Sequence, residues 1–219
     1  EEHFAWYSGN TDSRFNHNMR AEQRSLDNGA TWHDIFSNIY DSNDRVIQQI
    51  LADWTFGSAF WTYTPMSPSF RTEYMDPNGN ITETEQNDLG NVTKREVFTN
   101  RDINPNDPAS FVTLYEYNDN GLVTNATYPE LNFVENTYDE TNPNPLSQGN
   151  LLQSKRIADA LRGGGAGYNQ IISSYTYELN FNRVSSATDA KGNTTNFIID
   201  PLNGNLLQTI YPPVYLPAI

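Results

Sequence analysis

The 219-residue chain has no cysteine. That excludes a disulfide framework, a thiolate metal site and a thiol nucleophile. Histidine is scarce: His3, His17 and His33 all lie near the N-terminus. Beyond them the usual general base is missing. No apolar run approaches the roughly 18 residues of a membrane-spanning helix. No secretion leader is legible at Glu1, so a mature segment or a piece of a longer chain is expected. Basic residues are also in short supply, 13 against 27 acids, for a formal net charge of -14. Such a surface repels phosphate backbones and anionic lipid, so nucleic acid is not an expected partner. Solubility of a large β-protein explains the acidity more simply than cation binding does.

What the chain does have is aromatic residues and turn formers: 13 Tyr, 11 Phe, 4 Trp, 13 Gly and 12 Pro. They recur in order. Tyr40-Asp41-Ser42-Asn43-Asp44-Arg45-Val46 is one copy, with Asp44 where Gly usually sits. Asp76-Pro77-Asn78-Gly79-Asn80-Ile81 and Asp88-Leu89-Gly90-Asn91-Val92 follow. Tyr115-Glu116-Tyr117-Asn118-Asp119-Asn120-Gly121-Leu122 is another. Tyr138-Asp139 opens a copy whose Gly149-Asn150 arrives after the insertion Pro143 to Gln148. The last copies run from Tyr175 to Leu207, through Asp189, Gly192, Asp200 and Gly204.

Alternation explains the first half of each copy, because Tyr-x-Tyr puts two rings on one strand face. The following Asp or Asn bonds backbone two residues on and starts a turn. Gly then supplies the positive φ that closes a hairpin, and a short acid such as Asp44 tolerates the same conformation. Each copy reads as strand, turn, strand. Asp27-Asn28-Gly29 separates residues 20–26 from 31–40 as a further hairpin. Trp54-Thr55-Phe56 and Phe60 to Tyr63 read as aromatic strands, while Pro65, Pro68, Pro105 and Pro108 mark loops. Lys155 to Leu161 reads as a ragged strand and loop, with a short helical turn as the alternative. Gly163 to Gly167 lacks the Lys-Ser/Thr ending of a phosphate loop and reads as an excursion from the sheet.

These residues resemble the YD-repeat, or Rhs-repeat, family over about residues 31–212. The resemblance implies an all-β fold of tandem antiparallel hairpins in a curved or spiralling sheet, part of a hollow shell. Bacterial members enclose toxin domains and animal members, the teneurins, carry the shell on the cell surface. The implied role is non-catalytic, with the turn residues structural. Residues 1–30 are divergent strands and 213–219 a Pro-rich extension, with no boundary inside the array. Two departures matter. The family's shells are far longer, and its core-associated segment with an aspartyl self-cleavage site is not evident. Asp76-Pro77-Asn78-Gly79 is faintly similar to that site but sits inside an ordinary hairpin copy.

Other chemistry weighs less. The histidines lack metal-ligand spacing with Asp12 or Asp34. Glu83 and Glu85 share a strand face, as glycosidase carboxylates could, but as a solvated face also would; Asp139 with Glu140 is another acidic pair. The acidic loops are only loosely like oxygen-rich Ca2+ sites. Asn80, Asn91, Asn125 and Asn193 head formal glycosylation sequons, most of which the Gly-Asn-x-Thr wording of the repeat generates. Trp6, Tyr7, Trp54, Trp61 and Tyr63 are candidates for stacking on glycans, with filling of a buried sheet face as the alternative. The expected function is a structural segment of a secreted or surface protein, pairing with further YD repeats in a shell or a filament. A carbohydrate-binding or adhesion module and a polysaccharide-cleaving enzyme are the alternatives.

Overall fold

The structure is a computed structural model and describes residues 2–8, 17–51, 57–99, 108–159, 161 and 170–213. Trp54, Thr55, Phe56, Asp12, Pro105 and the stretch from Gly163 to Gly167 lie outside the described residues. Among the described residues sixteen strands account for the regular structure. They are β1 (Glu2–Trp6), β2 (Met19–Arg24), β3 (His33–Tyr40), β4 (Val46–Leu51), β5 (Ser58–Pro65), β6 (Phe70–Met75), β7 (Ile81–Gln86) and β8 (Val92–Phe98). The rest are β9 (Ser110–Tyr117), β10 (Val123–Thr127), β11 (Phe133–Tyr138), β12 (Leu151–Ile157), β13 (Gln170–Tyr177), β14 (Val184–Thr188), β15 (Thr194–Ile199) and β16 (Leu206–Ile210). Their order in the sheet is their order in the sequence. The fold is all-β and built of tandem antiparallel hairpins.

The chain forms two compact units, Glu1–Val112 and Thr113–Ile219, and the division falls inside β9. The sequence places no boundary there, because the repeat wording runs on undisturbed across it. Of the ambiguous segment from Lys155, residues 155–157 continue β12 as strand. Trp61 and Tyr63 stand on β5, and Pro68 sits in the turn that follows it.

Because strands alternate in direction, successive turns lie at opposite ends of their unit. In the first unit the turns at 41–45, 66–69 and 87–91 share one end. In the second, those at 118–122, 139–150, 178–183 and 200–205 do. At these ends every turn except 66–69 has a β-bulge beside it, at Ile39/Tyr40, Glu85/Gln86, Val123/Asn125, Thr137/Tyr138, Thr176/Tyr177 and Ile198/Ile199. A bulge adds one residue to one strand and raises the local twist.

One layer of sheet buries little. Among the described residues the buried apolar ones are Ala21, Ile50, Ala59 and Ala126, and no large side chain is fully buried. Stable domains bury a sheet face against a second layer. Here Leu114, Ile171, Ile198, Leu206, Leu207 and Ile210 all remain exposed.

Candidate functional site

The residues that look like sites in the sequence are gathered at the turns, and most of their polar atoms are engaged there. In the turn at Asp76, Oδ1 accepts the N–H groups of Asn78 and Asn80, each at 2.8 Å, and Oδ2 accepts Asn80 Nδ2 at 2.7 Å. The Gly79 N–H donates to the Asp76 carbonyl, and the Asp76 N–H to that of Asn80. This is a three-residue hairpin loop with its third residue left-handed. Asp189 repeats it, with Lys191, Asn193 and the Asn193 side chain. Asp41 does the same with Asn43 and Arg45, and the Arg45 guanidinium takes Oδ2 at 2.6 Å. Asp27 holds the N–H of Thr31 and its hydroxyl.

The closing residue has positive φ at Gly79, Gly90, Gly121, Gly149, Gly192 and Gly204, and at Asp44, whose φ is 65°. In the copy at 87–91 the capping oxygen belongs to Asn87, which accepts Leu89 and Asn91 N–H groups. Asp88, read from the sequence as the turn acid, is one place along and lies in the turn without capping it. The cause is positional: the bonds run to residues two and four ahead, which fixes the cap four residues before Asn91. Asn118 caps its own loop through Asn120 and Leu122. The turn from Tyr128 to Asn132, which the sequence does not single out, closes with Leu131 at φ 62°, and the one from Glu178 to Arg183, in the copy that opens at Tyr175, closes with Asn182 at φ 56°.

Hydrogen bonding from the capping contacts lowers the carboxyl pKa of Asp27, Asp41, Asp76, Asp189 and Glu178. Each accepts several donors, which favours the charged form. The longer turns stack in the second unit. The side chains of Asn150 and Asn182 exchange hydrogen bonds at 2.6 and 2.9 Å, and Asn182 Nδ2 also reaches the Leu146 carbonyl. Asn118 Nδ2 donates to Glu140, and Asn142 Nδ2 to Asp139. Asp200 accepts Leu202 N–H and the Asn203 side chain. The ring of Phe181 sits where a Cβ on Gly204 would stand, 2.7 Å from Cγ. Glycine is therefore required there twice, for its φ of 75° and for the ring.

The tyrosines do a second job that the sequence did not reveal. Tyr40 Oη donates to the Met19 carbonyl, Tyr63 to Val46, Tyr138 to Val123 and Tyr177 to Leu151, at 2.9 to 3.1 Å. Each acceptor is the first residue of the preceding neighbour strand. In all four pairs the backbone ladder stops two residues further in, at Ala21, Gln48, Asn125 and Gln153. The phenol thus satisfies a carbonyl that the splayed strand end leaves without a ladder partner. Asn38 and Asn136 donate to the same Met19 and Val123 carbonyls, which explains the Asn-x-Tyr-Asp wording of those copies. Partial burial raises the phenol pKa of Tyr40, Tyr63 and Tyr177.

The remaining candidates have ordinary surroundings. Trp61 lies against Tyr74 with ring centroids 5.1 Å apart, and Arg45 covers the Tyr63 ring at 4.2 Å. Glu83 and Glu85 do share a face, where Arg71 and Lys94 pair with them at 3.5 and 3.3 Å. Lys94 also reaches Glu96. His3 lies against Trp32. Among the described residues no group of three or more His, Asp or Glu could hold a metal ion. Of the sequons, Asn80 and Asn193 each donate their Nδ2 to a turn carboxylate, Asn125 stands on β10, and Asn91 closes a turn.

No family model matches the chain, and no curated protein does. Among solved structures the chain is similar to the crystal structures of TcdB2-TccC3-TEV, TcdB2-TccC3-Cdc42 and TcdB2-TccC3. The identities are 15%, 14% and 14% and the TM-scores 0.37, 0.35 and 0.34. Each match covers 90% of this chain, which spans 12% of the length of the chain it matches.

Proposed function

We propose that the chain is a non-enzymatic structural segment of a secreted or cell-surface protein, a length of repeat sheet that serves as wall. The observation that carries this reading is how the site-like residues are employed. Turn carboxylates cap backbone N–H groups, and tyrosine phenols tie one hairpin to the one before. The exposed apolar side chains of a single layer support the same reading, because such a layer gains stability when more sheet or a cargo covers it. Further repeats, in the same chain or in another copy, are the proposed partners.

Light scattering over a rising protein concentration tests the self-assembling form. Growing particles are expected, and a monodisperse, fully folded monomer at high concentration would sink it. Measurable depolymerisation of a polysaccharide panel would sink the non-enzymatic part.

A further inference from the structure

Asn is followed by Gly at Asn28, Asn78, Asn120 and Asn203. The pair is chemically weak. Glycine puts no side chain in the way of its own nitrogen, which can attack the amide carbon of the Asn before it. Folding decides whether that attack is open. Asp76-Pro77-Asn78-Gly79-Asn80 and Asp200-Pro201-Leu202-Asn203-Gly204-Asn205 are worded almost alike, and the structure treats their amides in opposite ways.

Asn203 is held at both ends of its amide. Its Nδ2 donates to Asp200 at 2.7 Å, and its Oδ1 accepts the Asn205 N–H at 2.9 Å. Gly204 is buried, against the Phe181 ring. Asn78 is exposed, and among the described residues only its backbone N–H is engaged, by Asp76 Oδ1. Gly79 is exposed as well, with nothing within 4 Å of where a Cβ would stand. Leu89 and Lys191 hold the place of Asn78 in sister loops, so the fold gives that side chain no task. The attacking nitrogens do not distinguish the two loops. Gly79 and Gly204 each donate to the carbonyl of the loop acid at 2.9 Å.

We propose that Asn78 is a site of spontaneous modification, a deamidation site that turns to aspartate and isoaspartate in the folded chain, and that Asn203 is protected. The Gly79 nitrogen loses its proton to hydroxide and bonds to Asn78 Cγ, and Nδ2 leaves as ammonia with a proton from water. Water then opens the cyclic imide at either carbonyl. Opening at the main-chain carbonyl gives isoaspartate, whose main chain runs through the former side chain and is longer by a methylene. The bonds from Asp76 Oδ1 to the N–H groups of Asn78 and Asn80 are set for the shorter chain. The product therefore loosens the hairpin of β6 and β7. This inference does not rest on the structural role of the chain.

Incubation of the folded chain at mildly alkaline pH, with fragment-ion mapping of its tryptic peptides over time, tests it. Asn78 is expected to react on the order of tenfold faster than Asn203, whose amide must first give up two hydrogen bonds. In denaturant, where only the shared Asn-Gly wording remains, the two rates should converge. Asp200→Ala, which removes the acceptor of Asn203 Nδ2, should speed the reaction at Asn203 and leave that at Asn78 unchanged. Asn78→Lys, which copies the loop at Lys191, should abolish the reaction there with an unchanged melting temperature. The unsubstituted chain should melt lower after ageing than this variant aged in parallel. Equal rates at the two residues in the folded chain, faster reaction at Asn203, or an Asn78 that reacts only in denaturant would each overturn the proposal.

Discussion

At the scale of the residue, the capping position separates acids from amides. Asp76 and Asp189 have two oxygens, one for the backbone and one for the Asn side chain four residues on. Asn87 and Asn118 present one oxygen to the same backbone donors. Replacing Asp76 with Ala should lower the melting temperature, whereas Asp88→Ala should leave it nearly unchanged, although both acids sit in turns of like wording. Equal shifts in thermal unfolding would contradict the assignment of Asn87 as the cap. Gly204→Ala meets two obstacles. The left-handed backbone costs roughly 1–2 kcal/mol for a residue with a Cβ, and the new carbon strikes Phe181. In a Phe181→Ala background only the first should remain, so a double-mutant cycle in denaturant should give a clear coupling.

The same scale sets what could be read from the sequence. A glycine that must be left-handed leaves a mark, because few other residues suit the position. Leu131 and Asn182 adopt positive φ without that mark, held by the bonds that close their turns. Asp88 reads as the cap because Asp and Asn are both good turn openers, and only the spacing to Asn91 gives the role to Asn87.

At the scale of the element, the tyrosine bond joins one hairpin to the last. The Tyr-x-Tyr alternation was legible as a strand face. The partner was not, because a backbone carbonyl has no residue signature. Tyr177→Phe should cost about 1 kcal/mol, the usual net worth of a hydrogen bond, and chemical denaturation can measure it. Tyr138→Phe should cost less, because Asn136 still serves the Val123 carbonyl. Removing both should exceed the sum of the single changes.

At the scale of the whole molecule, stability should fall away at both ends of the pH range. The capping carboxylates, and Glu96 beside Lys94, have folded pKa values below their unfolded values of about 4. Their contribution is complete above that pH and is lost as pH drops through the lower folded values. The phenols behave in the opposite sense. Tyr40, Tyr63, Tyr117 and Tyr177 are raised above about 10, chiefly by burial. What they contribute is present below that pH and lost as pH rises through the folded values. Thermal melts across pH should therefore give a plateau with an acid and an alkaline shoulder. Replacing Asp76 and Asp189 with Asn should flatten the acid one.

The match between strand order and sequence order has a kinetic meaning. Each strand finds its partners next door in the chain, so loop closure is short and pairing can begin before the rest of the polypeptide exists. A chain of this kind can be laid down strand by strand as it leaves a ribosome or a translocation pore, and taken apart the same way. Removing the last hairpin, β15 and β16, should then subtract an increment of stability and leave the earlier strands protected from hydrogen exchange. A protein whose parts depend on distant partners would lose everything at once; this one can be lengthened or shortened by the hairpin.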